Sequence, residues 1–366
     1  MRFLYVLPAA AGGIKNHVLA MINYFSRKHT ITVFSPGNEE IEAAVMKTGG
    51  SFYALPPGAS YLLGSAALRR AIRNQSFDLL HLHGYKAGLV GRLLSLSRDI
   101  PTVITIHNYP GFPQLKGAAG SLYFFYEQRF AARVDKYIFV SKALKDYFCA
   151  LSKADDDKTA VIYNGIDIKL YDRADCVPEL KQMGFPLVGT ASRLAPRKGI
   201  DDFIEALPFF FREYPGGAAL IAGDGPLKSQ LRKKAVSLGL ADRVHFLGYC
   251  RNLPGFLKSL DLFVHPSRSE GLGIIVLEVL ASRVPVVATA TGGIPEIITP
   301  GVNGLLVPVR RPADLAKSMA RLVSSPLTPV MVEEGYKTVR EKFKLEDMLY
   351  KTEEIYREVL ERKGAS

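Results

Sequence analysis

Two hydrophobic patterns alternate along the chain. Short apolar runs bounded by Gly, Pro or polar clusters predict buried strands, and longer stretches with apolar positions at helical spacing predict amphipathic helices between them. In the first half, strands are expected at Phe3–Leu7, Ile31–Phe34, Leu79–Leu82, Thr102–Ile106, Lys136–Val140 and Thr159–Ile162. Helical patterning covers His17–Arg27, Ala66–Arg73, Lys86–Leu96, Ser121–Val134 and Ser141–Phe148. A second series starts after Pro178 and Pro186, with strands at Leu187–Ala191, Ala218–Ala222, Val244–Leu247, Leu262–Val264, Val286–Thr289 and Gly304–Val307. Its helices are expected at Ile200–Tyr214, Leu227–Leu238, Leu253–Leu260, Gly273–Ala281 and Ala313–Ser324. This alternation is the signature of parallel strands joined by right-handed crossovers, so the fold class is α/β. Asn164–Pro186, with its charge cluster and two prolines, reads as the linker between two similar units. Beyond Pro329 one or two helices follow, and the charged run from Arg340 to Arg362 reads as a polar, solvated helix.

A chain of 366 residues divides into two domains at the usual roughly 100–200 residues each. Its 48% hydrophobic and 22% charged residues match a soluble globular protein and argue against disorder, a collagen-like fibre or a membrane bundle. The charge of +12 favours an anionic partner: a phosphate-bearing ligand, an acidic membrane surface or nucleic acid. The cations are scattered and match no nucleic-acid-binding module, so nucleic acid is not expected. Cys149, Cys176 and Cys250 form no CxxC pair, which suggests neither a disulfide framework nor a thiolate zinc site and suits a reducing cytosol. The apolar run at the N-terminus is broken by Pro8, lacks a cleavage pattern and is too short to span a bilayer, so it reads as a first strand.

Several loops carry candidate chemistry. Gly12-Gly13-Ile14-Lys15-Asn16-His17 lies between the first strand and a helix, where backbone N–H groups can approach an anion; without the G-x-G-x-x-G spacing, a tight turn explains it as well as a phosphate loop does. His81, His83 and His107 sit at C-terminal strand ends, where ligands of open α/β sheets collect. There His107 can bond a sugar hydroxyl or a phosphate, or simply be a satisfied strand-end residue; a metal is not expected, because no carboxylate stands beside these histidines at ligand spacing. Arg193, Arg197 and Lys198 gather cations at a strand end beside a helix start, suited to a diphosphate or else to a solvated basic loop. Gly223-Asp224-Gly225-Pro226 is chiefly a sharp turn, with Pro226 expected at the first position of the next helix. In Pro266–Ala281, Glu270 precedes a helix start while Gly271, Leu272, Gly273 and Ile274 offer N–H groups to a phosphate. Glu278, embedded in Ile, Val and Leu, requires a hydroxyl or cationic partner. Glu296, after Gly292-Gly293, reads as a helix cap.

In this order and spacing the segments resemble the family 4 glycosyltransferases, the group 1 or glycogen-synthase-like family of retaining enzymes, over nearly the whole chain. The match rests on Gly12, Gly13 and His17, on His107, on Val140-Ser141 and Asn164-Gly165-Ile166-Asp167, and on Arg193 with Lys198 and Gly199. It continues through Gly223-Asp224-Gly225-Pro226, Phe246-Leu247-Gly248, the Glu270–Glu278 pair and Gly292-Gly293-Ile294-Pro295-Glu296. The resemblance implies a GT-B fold, two Rossmann-like domains with parallel sheets facing a central cleft. Residues 1–168 would form the acceptor-side domain, 169–340 the nucleotide-sugar domain, and 341–366 a helix returning to the first.

The resemblance also implies roles. Arg193 and Lys198 would neutralise the donor diphosphate with N–H groups near Gly271–Ile274, and Glu278 would accept from the ribose hydroxyls. Glu270 would contact hydroxyls of the transferred sugar, with His107 facing the same sugar. Gly223 and Gly225 would admit the donor, the backbone from Tyr249 to Leu253 would hold the base, and Gly12, Gly13 and His17 would lie on the acceptor side, Gly13 also near the donor phosphate. The implied activity is retaining transfer of a hexose or N-acetylhexosamine from a UDP- or GDP-linked donor to a saccharide or lipid-linked acceptor for cell-envelope polysaccharide, in the cytoplasm or at the inner face of the membrane, with no metal or other cofactor. A sugar-nucleotide epimerase and a non-catalytic nucleotide-sugar-binding protein are the alternatives. The aromatic segments Tyr109–Lys116 and Leu122–Tyr126 suit a lipid headgroup or an acceptor, or else a buried helix face.

Overall fold

The order of strands within two sheets determines which loops can meet. A computed structural model describes residues 1–8, 12–55, 66, 68–70, 73–85, 87–88, 100–109, 133–152 and 155–364. The helices expected over 86–96 and 121–134 and the aromatic segments beyond Tyr109 lie mostly or wholly outside these residues. The chain divides into two compact units, Met1–Gly165 with Leu345–Ser366, and Ile166–Lys344. The boundaries fall a few residues from those expected at 168 and 340.

In the first unit, β1 (Arg2–Val6), β2 (Thr30–Pro36), β3 (Ser51–Leu55), β4 (Leu79–His83), β5 (Thr102–Ile106), β6 (Lys136–Phe139) and β7 (Thr159–Val161) form one parallel sheet in the order β3-β2-β1-β4-β5-β6-β7. Burial on both faces explains why β1, β4 and β5 read as continuous apolar runs. The half-buried edge strand β3 and the helix Glu39–Lys47, capped by the Asn38 side chain on the Ile41 amide, add to the expected elements. The first helix spans Gly13–Phe25, starting earlier than the pattern suggested because its partly exposed first turn carries a single apolar side chain, Ile14.

The charged C-terminal run returns to the first unit, as the resemblance implied, but departs from the reading of a solvated helix. Leu345–Gly364 is a helix, but Met348, Leu349, Tyr356 and Val359 are buried in the core with Phe3, Tyr5 and Phe25. Its cations and acids occupy the outer face. A narrow apolar stripe is enough to dock a helix, since each large apolar side chain fully buried contributes about 1.5–3 kcal/mol.

In the second unit, β8 (Leu187–Ala191), β9 (Ala218–Ala222), β10 (Val244–Gly248), β11 (Leu262–His265), β12 (Val286–Thr289) and β13 (Leu305–Val307) form a parallel sheet ordered β10-β9-β8-β11-β12-β13. The stretch expected as a linker is instead folded into this unit as the short helices Ile168–Asp172 and Pro178–Lys181. Both sheets wind outward from a central strand and reverse direction beside it, at β1/β4 and β8/β11. Ligands of open α/β sheets bind at the carboxyl ends of the strands that flank such a reversal. No helix among the described residues is long and apolar enough to cross a membrane.

Candidate functional site

The strand pair β8/β11 brings two separate sequence motifs together. Lys198 ends the short turn Pro196–Lys198 after β8, and Glu270 lies in the loop after β11. Lys198 Nζ donates to Glu270 Oε1, and Ser267 Oγ donates to the same oxygen at 2.7 Å. His265 Nε2 stands 3.2 Å from it. Burial alone would raise the Glu270 pKa; the Lys198 ammonium, with His265 beside it, overcomes that penalty and holds the carboxyl well below its usual range. Glu270 is therefore a buried, fixed negative charge whose countercharge comes from the loop after β8.

One glycine permits this approach, and a second lets the turn after β9 close on the loop after β8. At Gly199 the backbone is left-handed, φ 61°, and a Cβ would lie 2.0 Å from the Pro266 carbonyl oxygen. At Gly223, φ 126°, it would lie 1.9 Å from the Ser192 oxygen. Gly225 packs on the backbone of Leu194, and Pro226 sits in the turn rather than in the helix, which starts at Lys228. A surface pocket of about 720 Å³ includes Gly225, Lys228 and Arg232 but none of Lys198, Glu270 or Glu278.

Beyond Glu270, Gly271 and Leu272 lead to Gly273, which begins the helix Ile274–Ala281 with no capping side chain and no acid in its first turn. The positive end of that helix therefore lacks a countercharge of its own. Glu278, on its second turn, is buried and hydrogen-bonded by the Tyr171 hydroxyl from the helix Ile168–Asp172. This is the hydroxyl partner that its apolar neighbours demanded, though sequence could not say which residue supplies it. Burial pushes the Glu278 pKa up to about 7, with the Tyr171 hydrogen bond opposing. Arg193 is exposed on the Lys198 loop and takes no part in the Glu270 pair. Tyr249 is 69% exposed beyond β10, and Leu253 opens a helix capped by Asn252.

In the first unit the same topology gathers histidines. Gly12 and Gly13 start the helix after β1, His81 and His83 lie on β4, and His107 follows β5. His17 Nδ1 donates to Asn164 Oδ1 at 2.9 Å, which leaves its Nε2 as a buried lone pair without a partner. His83 Nδ1 and His107 Nε2 are 3.2 Å apart, and the His81 and His83 rings stack at 4.1 Å. His81 also pairs with Thr105 Oγ1 at 2.7 Å and with the Tyr356 hydroxyl. Burial, reinforced for His81, His83 and His107 by their neighbouring rings, lowers all four pKa values, that of His17 to about 4. The set is neutral at physiological pH and suits hydroxyl recognition better than phosphate neutralisation. Ring nitrogens of His17, His83 and His107 lie within 4.8 Å of one another, the one such donor group among the described residues. Nitrogens sharing a zinc ion at about 2.0–2.1 Å stand roughly 3.3 Å apart, so the rings would have to draw together to hold one.

The signature described as Glycosyltransferase Family 4 matches residues 11–170, and that described as Glycosyl transferases group 1 matches residues 175–338. An uncharacterized glycosyltransferase of Methanocaldococcus jannaschii is 30% identical, covering 79% of this chain and 77% of that one. The GDP-mannose-dependent alpha-(1-6)-phosphatidylinositol monomannoside mannosyltransferase of Mycobacterium tuberculosis is 29% identical over 86% of each chain. Among solved structures, Anabaena HepE in complex with UDP-glucose superposes with a TM-score of 0.82 at 22% identity, covering 100% of both chains. The fold is GT-B, and the chain belongs to the group 1 glycosyltransferases of family 4.

Proposed function

We propose that this glycosyltransferase moves a hexose or N-acetylhexosamine, with retention and without a metal, from a UDP- or GDP-linked donor to a saccharide or lipid-linked acceptor in cell-envelope polysaccharide synthesis at the cytoplasmic side of the membrane. The observation that carries this reading is the Lys198–Glu270 pair beside an uncapped helix start at the β8/β11 reversal. On this reading the diphosphate takes the Lys198 ammonium and the amides around Leu272–Ile274 as its countercharge, the work a divalent cation performs in other enzymes. Arg193, on the same loop, adds a second cation. Glu278 accepts from the ribose hydroxyls in place of Tyr171, and Tyr249 to Leu253 flank the base. Glu270 receives hydroxyls of the transferred sugar near its anomeric carbon. The neutral His107 ring is assigned to a sugar hydroxyl, and Gly12, Gly13 and His17 to the acceptor.

In the reaction the bond from the anomeric carbon to the diphosphate oxygen breaks as the bond to the acceptor oxygen forms on the same face. The departing phosphate oxygen takes the acceptor's proton. Negative charge grows on that phosphate as the bond breaks, so Lys198 acts more strongly in the transition state than in the ground state. A lipid-linked acceptor is supported by the mycobacterial relative, whose substrate is a phosphatidylinositol monomannoside, and by the net charge of +12.

The test is thermal stabilisation of the purified chain by UDP- and GDP-sugars in EDTA, with slow diphosphate release followed in the same samples. Stabilisation by one donor class, with release that persists in EDTA and falls in Lys198→Ala, is expected. No stabilisation by any nucleotide sugar, or release that requires added metal, would overturn the proposal.

A further inference from the structure

We propose that Arg268 is a positioning residue for transfer, a clamp that fixes the loop carrying Glu270 against the loop carrying Lys198; this rests on reading those two residues as donor-site groups. Arg268 lies between Ser267 and Glu270 in sequence, yet its side chain points to the first turn of the helix Ile200–Glu213. Its Nε donates to Asp202 Oδ2 at 2.9 Å, and its Nη2 to Asp202 Oδ1 at 2.6 Å and Asp201 Oδ2 at 2.7 Å. Its Nη1 donates to the Pro196 carbonyl at 3.2 Å, and its backbone N–H to the Arg197 carbonyl at 2.7 Å. The Ser267 hydroxyl reaches the Arg197 carbonyl as well, at 3.1 Å. One residue thus holds the chain on both sides of Lys198, at the Pro196 and Arg197 carbonyls before it and at the Asp201 and Asp202 carboxylates after it.

Two physical consequences follow from the fork. The first is geometric: a bidentate guanidinium–carboxylate pair sets distance and plane together, which an ammonium cannot do. The second is electrostatic. Asp201 and Asp202 place two carboxylates in the helix turn next to Lys198, where they favour the helix dipole but repel an incoming diphosphate. Arg268 pairs with both, so Lys198 remains the effective charge facing the anion.

The experiment compares Arg268→Ala and Arg268→Lys with Lys198→Ala, measuring melting temperature, UDP and GDP affinity, and kcat and donor KM separately. Arg268→Ala is expected to lower kcat by about 10- to 100-fold, the scale of an ångström-sized misplacement, and to raise donor KM several-fold. Arg268→Lys keeps the charge and loses the fork, so its kcat should recover only in part while its melting temperature stays near wild type. Adding Asp202→Asn to Arg268→Ala should restore donor affinity more than kcat. Wild-type kcat and KM per folded molecule in both Arg268 variants, alongside an impaired Lys198→Ala, would overturn the clamp and leave the donor site standing. Unchanged nucleotide affinity and turnover in Lys198→Ala would overturn the donor-site reading itself, and the clamp with it.

Discussion

Glu270 and Glu278 are both buried, yet their surroundings drive them in opposite directions. Glu270 has a lysine and a serine hydroxyl on one oxygen and stays ionised; Glu278 has a tyrosine hydroxyl alone, and burial raises it to about 7. For Glu278 the sign of the pH effect is definite. Between its ordinary value of 4.5 and about 7 the folded chain holds a proton that the unfolded chain has released, so stability falls as pH rises through that window, by up to about 3 kcal/mol. Glu278→Gln should therefore resist urea better than wild type at about pH 8, lose that advantage at about pH 4, and bind the donor less tightly at both. A variant equal to wild type in urea at about pH 8 would show that the carboxyl carries no such penalty. The need for a partner at Glu278 was legible from its apolar neighbours; Tyr171 was not, because it comes from a stretch whose prolines and charges resemble a linker. The same holds for Ser267 and Arg268, polar residues whose partners are set by strand order rather than by neighbours in the chain.

Between residues and units, strand order does the organising. The loops after β8 and β11 meet because those strands are adjacent although β9 and β10 intervene in sequence. Gly199→Ala tests how tight that meeting is: a methyl group 2.0 Å from the Pro266 oxygen must push the two loops apart. We expect a loss of about 2–3 kcal/mol in chemical denaturation, in the range of an overpacked site, together with a fall in kcat; an unchanged denaturation midpoint would mean that the loops yield freely. Elements with continuous apolar runs were readable to within a residue or two, β8 and β9 among them. Strand β3 was not, because an edge strand with half-buried positions leaves little periodic contrast. The C-terminal helix and its return to the first unit were expected, but its buried stripe, which includes Met348 and Tyr356, was hidden by dense charges. Replacing Tyr356 by Ala should cost about 3–5 kcal/mol in the first unit, since it removes a ring packed on Phe3 and Phe25 and the hydroxyl that pairs with His81. Hydrogen exchange resolved by segment would detect this as faster exchange in β1 and β4, with the second unit unchanged.

For the molecule as a whole, one unit is continuous in sequence and the other is not. Residues 166–344 contain all six strands of their sheet and their own core, whereas the core of the first unit takes side chains from both ends of the chain. The segment 166–344, expressed alone, is expected to give dispersed amide spectra and a cooperative melt. Residues 1–165 alone should do so only when a peptide spanning 345–366 is added, and cooperative folding without it would show the helix to be dispensable. The same connectivity governs events during synthesis. Translation delivers the seven-stranded sheet first but its closing helix last, after the entire second unit has left the ribosome. The domain made first is thus the one completed last, and its exposed helix-docking face must be kept from other chains while the second domain folds.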